Sequence, residues 1–273
     1  NNELLLRILK IFKIVSRKFE NRAKLGPLVS KDLVQVLHQE PSVQVASEAC
    51  NVVLNICYEK ENVDRIMGCG GVPPLISFLS SESEDLQANA AGAIQSICFQ
   101  KEGRQFMREQ GVIPAILPLL SSKNIKVQTR SVGAVHNISS EAEAIRIIRR
   151  LHGVAPLVGL LKAPSAPVCG SAAGALQNLS REINARDEIH TLGAVVPLTD
   201  LLFGDDVQSQ VCAAGAILNI IGPMLGSEDQ TNPQRQALKK LLSLALTVGM
   251  LHGSIRDIHA MQQQSSARLP EQG

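Results

Sequence analysis

Four asparagines, Asn55, Asn137, Asn178 and Asn219, recur in register with a single period, and Ser96 fills the place where a fifth would fall. A carboxamide carries a hydrogen-bond donor and an acceptor, so a row of them can hold successive peptide units whatever the ligand's side chains are. The same amides can instead tie helix ends to neighbouring loops. On a helix, the residues seven before, four before and three after a given position share its face. That face adds Glu48, Asn51 and Tyr58 to Asn55, and Asn89, Gly92 and Phe99 to Ser96. It adds Arg130, Gly133 and Ser140 to Asn137, then Ser171, Gly174 and Arg181 to Asn178, then Cys212, Gly215 and Gly222 to Asn219. In a first, incomplete unit the matching positions are Arg7, Lys10 and Arg17, around Ile14. The combined lining is polar and mildly basic, with Glu48 as its one carboxylate, and suits an acidic or neutral extended segment.

Catalytic chemistry finds no such support. The sequence has no G-x-S-x-G, HExxH, Walker A or dinucleotide fingerprint, and its six histidines are scattered. Gly68-Cys-Gly-Gly71 reads as a helix-ending turn, and Asp205-Asp206 as a cap for the helix that follows. Six cysteines form no CxxC pair and no ligand cluster, so they read as buried, reduced thiols with no metal and no cofactor. Reduced thiols point to the cytoplasm. A net charge of +2 is too balanced for nucleic-acid binding. No segment is long and apolar enough for a membrane span, and Arg7, Lys10 and Lys13 interrupt the first apolar stretch, which is therefore not a signal peptide. That basic amphipathic stretch, residues 3–19, could lie on a membrane surface. A simpler account is that its apolar side covers Leu25 and Leu28. The missing initiator Met and a start within a helical pattern read as a piece of a longer protein.

The asparagines are positioned by a repeat. Segments related to Ala-Gly-Ala-Ile-x-Asn begin at Cys50, Ala91, Val132, Ala173 and Ala214, a 41-residue period without drift. Drift-free spacing means one supersecondary unit stacked in a row. In the unit from Glu102 to Ser140, a short helix around Arg104–Met107 ends at Gly111. Val112-Ile-Pro114 opens a second helix, which runs from Ala115 to Leu120. Ser121–Asn124 is a capping turn, and a longer third helix spans Ile125–Ile138. Apolar residues recur in register: Ile66, Met107, Ile148 and Ile189 on first helices; Leu75, Ile116, Leu157 and Leu198, with Leu79, Leu120, Leu161 and Leu202, on second helices. The hydrophobic share is 45% but the aromatic share only 3%, as expected of closely packed aliphatic helices. Gly92, Gly133, Gly174 and Gly215 each cost a third helix about 1 kcal/mol of propensity. Close helix approach, or a surface kept clear for a ligand, would offset this.

Three helices per period, G-x-x-P before the second and A-G-A-L-x-N-L in the third resemble the armadillo repeat family over residues 1–222. The resemblance implies an all-α, right-handed superhelix whose third helices line a concave groove, with the repeated Asn holding the backbone of an extended peptide. It implies a non-enzymatic protein-interaction scaffold. The importin-alpha branch carries Trp four residues before that Asn. Here the position holds Asn51 or glycine and the chain has no Trp, so a basic import signal is not the expected ligand. Armadillo proteins also serve as structural parts of cilia and flagella, junctions and organelle contacts, through the convex face and ends. That alternative would make the localisation cytoskeletal or axonemal. Residues 223–236 read as a polar loop, 237–262 as capping helices and 263–273 as a mobile tail.

Overall fold

A computed structural model describes residues 2–225, and all regular structure among them is helical. The chain opens with α1 (Asn2–Val15), α2 (Phe19–His38) and α3 (Val43–Ile56). Four units of three helices follow: α4 (Lys60–Gly68), α5 (Val72–Ser77) and α6 (Glu84–Ile97); then α7 (Lys101–Glu109), α8 (Val112–Ile116) and α9 (Ile125–Ile138). The last two are α10 (Ala142–Arg150), α11 (Val154–Leu160) and α12 (Ala166–Leu179), then α13 (Ile183–Thr191), α14 (Val195–Leu201) and α15 (Val207–Leu225). Two of the second helices, α5 and α8, tighten into 3-10 turns at Phe78–Ser80 and Leu117–Ser121. The helix foreseen over 115–120 is thus divided between these two geometries. α15 runs to Leu225, into the stretch read as a loop from 223. The capping helices and tail foreseen beyond it lie outside the described residues.

Third helices α3, α6, α9 and α15 are started by a side-chain cap at one recurring position, whereas Ser165 at that position before α12 makes no such bond. Ser42 accepts from the Val45 N–H, Ser83 from Leu86, Asn124 from Lys126 and Val127, and Asp206 from Ser209. Each cap satisfies a donor that the first helical turn leaves unpaired. First helices end where the backbone turns left-handed, at Gly70, Gly111, His152 and Gly193, again one period apart. At Gly70 and Gly71 the N–H groups fold back onto the Met67 and Ile66 carbonyls, closing the helix end.

The first unit departs from the three-helix plan at this point. Val29 occupies the position of those left-handed residues, and a β-branched side chain does not enter that region. The first and second helices therefore fuse into the single 20-residue α2, with Pro27 inside it. Elsewhere the aliphatic register holds. Ile66, Met107, Ile148, Ile189, Leu75, Ile116, Leu157 and Leu198 are all fully buried. Third helices pack against one another in sequence, α1 on α3, α3 on α6, α6 on α9, α9 on α12 and α12 on α15. This stack carries the proposed groove.

Candidate peptide groove

The four asparagines bridge the stack. Asn55 Nδ2 donates to the Lys13 carbonyl at 3.1 Å and to Ser16 Oγ at 3.0 Å. Asn178 Nδ2 donates to the His136 carbonyl (3.3 Å) and Ser139 Oγ (3.1 Å), and Asn219 Nδ2 to the Gln177 carbonyl (3.2 Å) and Ser180 Oγ (3.0 Å). Asn137 reaches the Gln95 carbonyl at 3.0 Å, but the residue matching those serines is Cys98. Every amide thus commits its N–H donors to the end of the preceding third helix. Among the described residues no group donates to the four Oδ1 atoms, and all four side chains are only partly buried. Ser96, 6% exposed, is too short to bridge and leaves a gap in the row. Asn89 forms a further bridge nearer the helix starts, to Ser47 Oγ at 2.7 Å.

The repeated glycines answer the question left by the sequence. A Cβ at Gly92 would overlap the Leu54 side chain; at Gly133, Gln95; at Gly174, His136; at Gly215, Gln177. These four residues each directly precede the Asn position (Ser96 in one unit) and lie over the glycine of the next helix. Close approach, and not a surface cleared for ligand, is what requires glycine. Gln95, His136 and Gln177 remain partly exposed beside the amides, and sequence reasoning missed them as lining. Their regular spacing was visible, but only the glycine contacts show why they face the same way. Burial holds the His136 imidazole below its ordinary pKa.

The foreseen charged and aromatic residues are less free than their positions imply. Arg7 pairs with Glu3 on its own helix at 2.6 Å. Glu48 is neutralised by Lys13 at 2.6 Å, which removes the lining's one carboxylate as an open charge. Arg130 leans across to Gln95 Oε1 at 3.4 Å. Arg181 donates to the Ser140 carbonyl at 2.8 Å and the Asn178 carbonyl at 3.2 Å, so its guanidinium closes two helix ends. Lys10 and Arg17 are exposed and have no side-chain partner among the described residues; Lys10 borders a polar cleft with Ser47, Ser83 and Asp85. Tyr58 is half exposed and carries the Arg22 guanidinium 5.1 Å over its ring, with Phe19 on the cation's other flank at 5.7 Å. Arg22 also pairs with Glu59 at 2.9 Å. Phe99 is 67% exposed, an aromatic with little cover in the unit where the amide row is broken.

The sequence profile of the Armadillo/beta-catenin-like repeat matches residues 59–99, 100–140 and 142–181. Residues 59–181 carry armadillo repeats. Solved structures, designed armadillo repeat proteins among them, share the chain's fold. An engineered protein is 28% identical with a TM-score of 0.75, over 81% of this chain and 92% of its own. A designed armadillo repeat protein in complex with the peptide (KR)4 is 25% identical with a TM-score of 0.69, over 78% of this chain and 91% of that one. A computationally designed armadillo repeat protein for modular peptide recognition is 24% identical with a TM-score of 0.72, over 80% and 94%. No curated protein matches the sequence. Among the described residues no helix is long and apolar enough to cross a membrane.

Proposed function

We propose that this armadillo array is a non-enzymatic scaffold that holds an extended acidic or neutral segment of a partner protein along its third helices. The row of Oδ1 acceptors on Asn55, Asn137, Asn178 and Asn219 carries the reading, because each is aimed by its own N–H bonds to the preceding helix. A ligand offers backbone N–H groups to these oxygens, and its carbonyls turn toward donors such as Gln95 and Gln177. Open cations at Lys10 and Arg17, beside a neutralised Glu48, favour acidic side chains. That sets the groove apart from the designed relative whose ligand is (KR)4. Buried thiols at Cys50, Cys57 and Cys98 support a reducing compartment, the cytoplasm.

Either alanine or serine removes the bridges to the preceding helix, but serine already stands at position 96 within the array and is the better tolerated probe. Asn137→Ser combined with Asn178→Ser removes two acceptors, each worth about 0.5–1.5 kcal/mol. Binding of a labelled peptide of alternating Ser and Asp is expected to weaken about tenfold or more, while circular dichroism keeps its helical signal. Undiminished binding by the double variant, or tighter binding of (KR)4 than of the acidic peptide, defeats the reading.

A further inference from the structure

The amide row breaks once, and the chemistry of the third helices changes at the break. Ser96 of α6 is 6% exposed and presents no carboxamide. The side chain lying over the glycine of this helix, Gly92, is Leu54, where the later helices have Gln95, His136 and Gln177. Phe99 stands at the edge of this apolar step and is 67% exposed. Its backbone is firmly held: Arg104 Nη1 donates to the Phe99 carbonyl at 2.9 Å and to the Cys98 carbonyl at 3.2 Å. The matching side chains of neighbouring units are engaged by the chain itself. Tyr58 lies under the Arg22 guanidinium at 5.1 Å, Ser140 Oγ donates to the Asn137 carbonyl at 2.8 Å, and Arg181 donates to the Ser140 carbonyl at 2.8 Å. Among the described residues no cation lies over the Phe99 ring.

Helices stacked about 8–10 Å apart meet an extended chain about every three residues. A segment held by Asn55 on one side and by Asn137 and Asn178 on the other has to cross the break, and there one of its side chains passes Phe99. Resting on the groove reading, we propose that this step recognises a side chain in place of the backbone, and that the partner segment carries one leucine-like residue there within an otherwise acidic or neutral stretch. A bare ring on a fixed backbone is a pre-organised anchor, and covering it with an aliphatic side chain removes apolar surface from water. Arg130 also lies over Gly92, with its guanidinium 3.4 Å from Gln95 Oε1, and suits acidic residues flanking the leucine. Register follows from the same contact. An amide meets every peptide unit alike, so a row of amides leaves a ligand free to slide by one unit. A single apolar residue seated on Phe99 stops that sliding and makes Phe99 a specificity-determining residue of the groove.

Two labelled peptides of about twelve residues, the reach of α3, α6, α9 and α12 at about three residues each, test this on the full chain. One alternates Ser and Asp; the other has the same pattern with a central Leu. The repetitive pattern lets the second peptide slide until its leucine meets Phe99, and it is expected to bind the native chain about fivefold more tightly or better. Phe99→Ser copies Ser140 and alters an exposed side chain, so it should keep the native helical signal. It should abolish the leucine's gain and leave the leucine-free peptide bound as before. Asn137→Ser with Asn178→Ser, by contrast, should weaken both peptides alike. Equal binding of the two peptides by the native chain overturns the inference and leaves the groove reading standing. A gain that survives Phe99→Ser, or a loss on Phe99→Ser common to both peptides, has the same consequence. If neither peptide binds, both readings fall.

Discussion

His136 shows how much one side chain can be asked to do in a stacked helix. It lies over Gly174 of the next unit, its carbonyl accepts from Asn178, and its ring borders a cleft that also holds Ser171 and Asp206. Burial favours the neutral imidazole in the folded chain. An unfolded histidine takes up a proton at its ordinary pKa, so the folded state binds fewer protons as the medium becomes acidic. Its stabilising contribution is therefore complete above that ordinary value and is lost as pH falls through it toward the lower folded one. The equivalent residues are Gln95 and Gln177. His136→Gln should consequently fold as the wild type does and flatten the loss of thermal stability between neutral and mildly acidic pH. If the two melting-temperature profiles stay parallel, the imidazole is not the titrating group.

At the scale of the helix, propensity and packing conflict, and packing decides. Alanine in place of glycine ordinarily stabilises a helix by about 1 kcal/mol. Gly159 of α11 is exposed with nothing near its absent Cβ, so Gly159→Ala should raise stability by about 0.5–1 kcal/mol. Gly174→Ala should lower it, since overlap with the His136 ring costs about 1–3 kcal/mol and outweighs the propensity gain. Urea denaturation of both variants distinguishes them, and a stabilising Gly174→Ala would mean the ring has room to move aside. The helices themselves were legible in the sequence because their signals are local: the caps at Ser83, Asn124 and Asp206, the glycines that end first helices, and the aliphatic register. The fusion of α2 was also written there, in Val29, but only as the missing member of a series. What the amides and arginines bond to was not legible. Asn55, Asn137, Asn178, Asn219 and Arg181 share a face by helical geometry, yet their partners lie on the preceding helix, at a distance in sequence that periodicity alone does not convert into contact. Arg181 therefore read as an open charge and is a closure for helix ends.

At the scale of the whole array, bonds among the described residues connect each unit to its neighbours and not to distant ones. Stability in such an array is a sum of unit and interface contributions. Leu157 is fully buried in the unit of α10, α11 and α12. Leu157→Ala should cost about 2–5 kcal/mol, with amide exchange accelerating most in residues 142–222 and least in 2–56. Uniform acceleration along the chain would show that the array opens as one body. The Asn bridges give this modularity an arithmetic. Each reaches back 42 residues to a carbonyl, and those at Asn55, Asn178 and Asn219 also reach back 39 to a hydroxyl. Excision of a whole period, such as residues 100–140, would set Asn178 before the Gln95 carbonyl that Asn137 now holds. Excision of one residue would break the bridge that spans it and leave that amide facing the wrong atom, while later bridges keep their spacing. Within this fold, length is a variable that changes only in whole periods, and a genome can lengthen or shorten the array by copying or dropping a unit without altering the grammar of any junction.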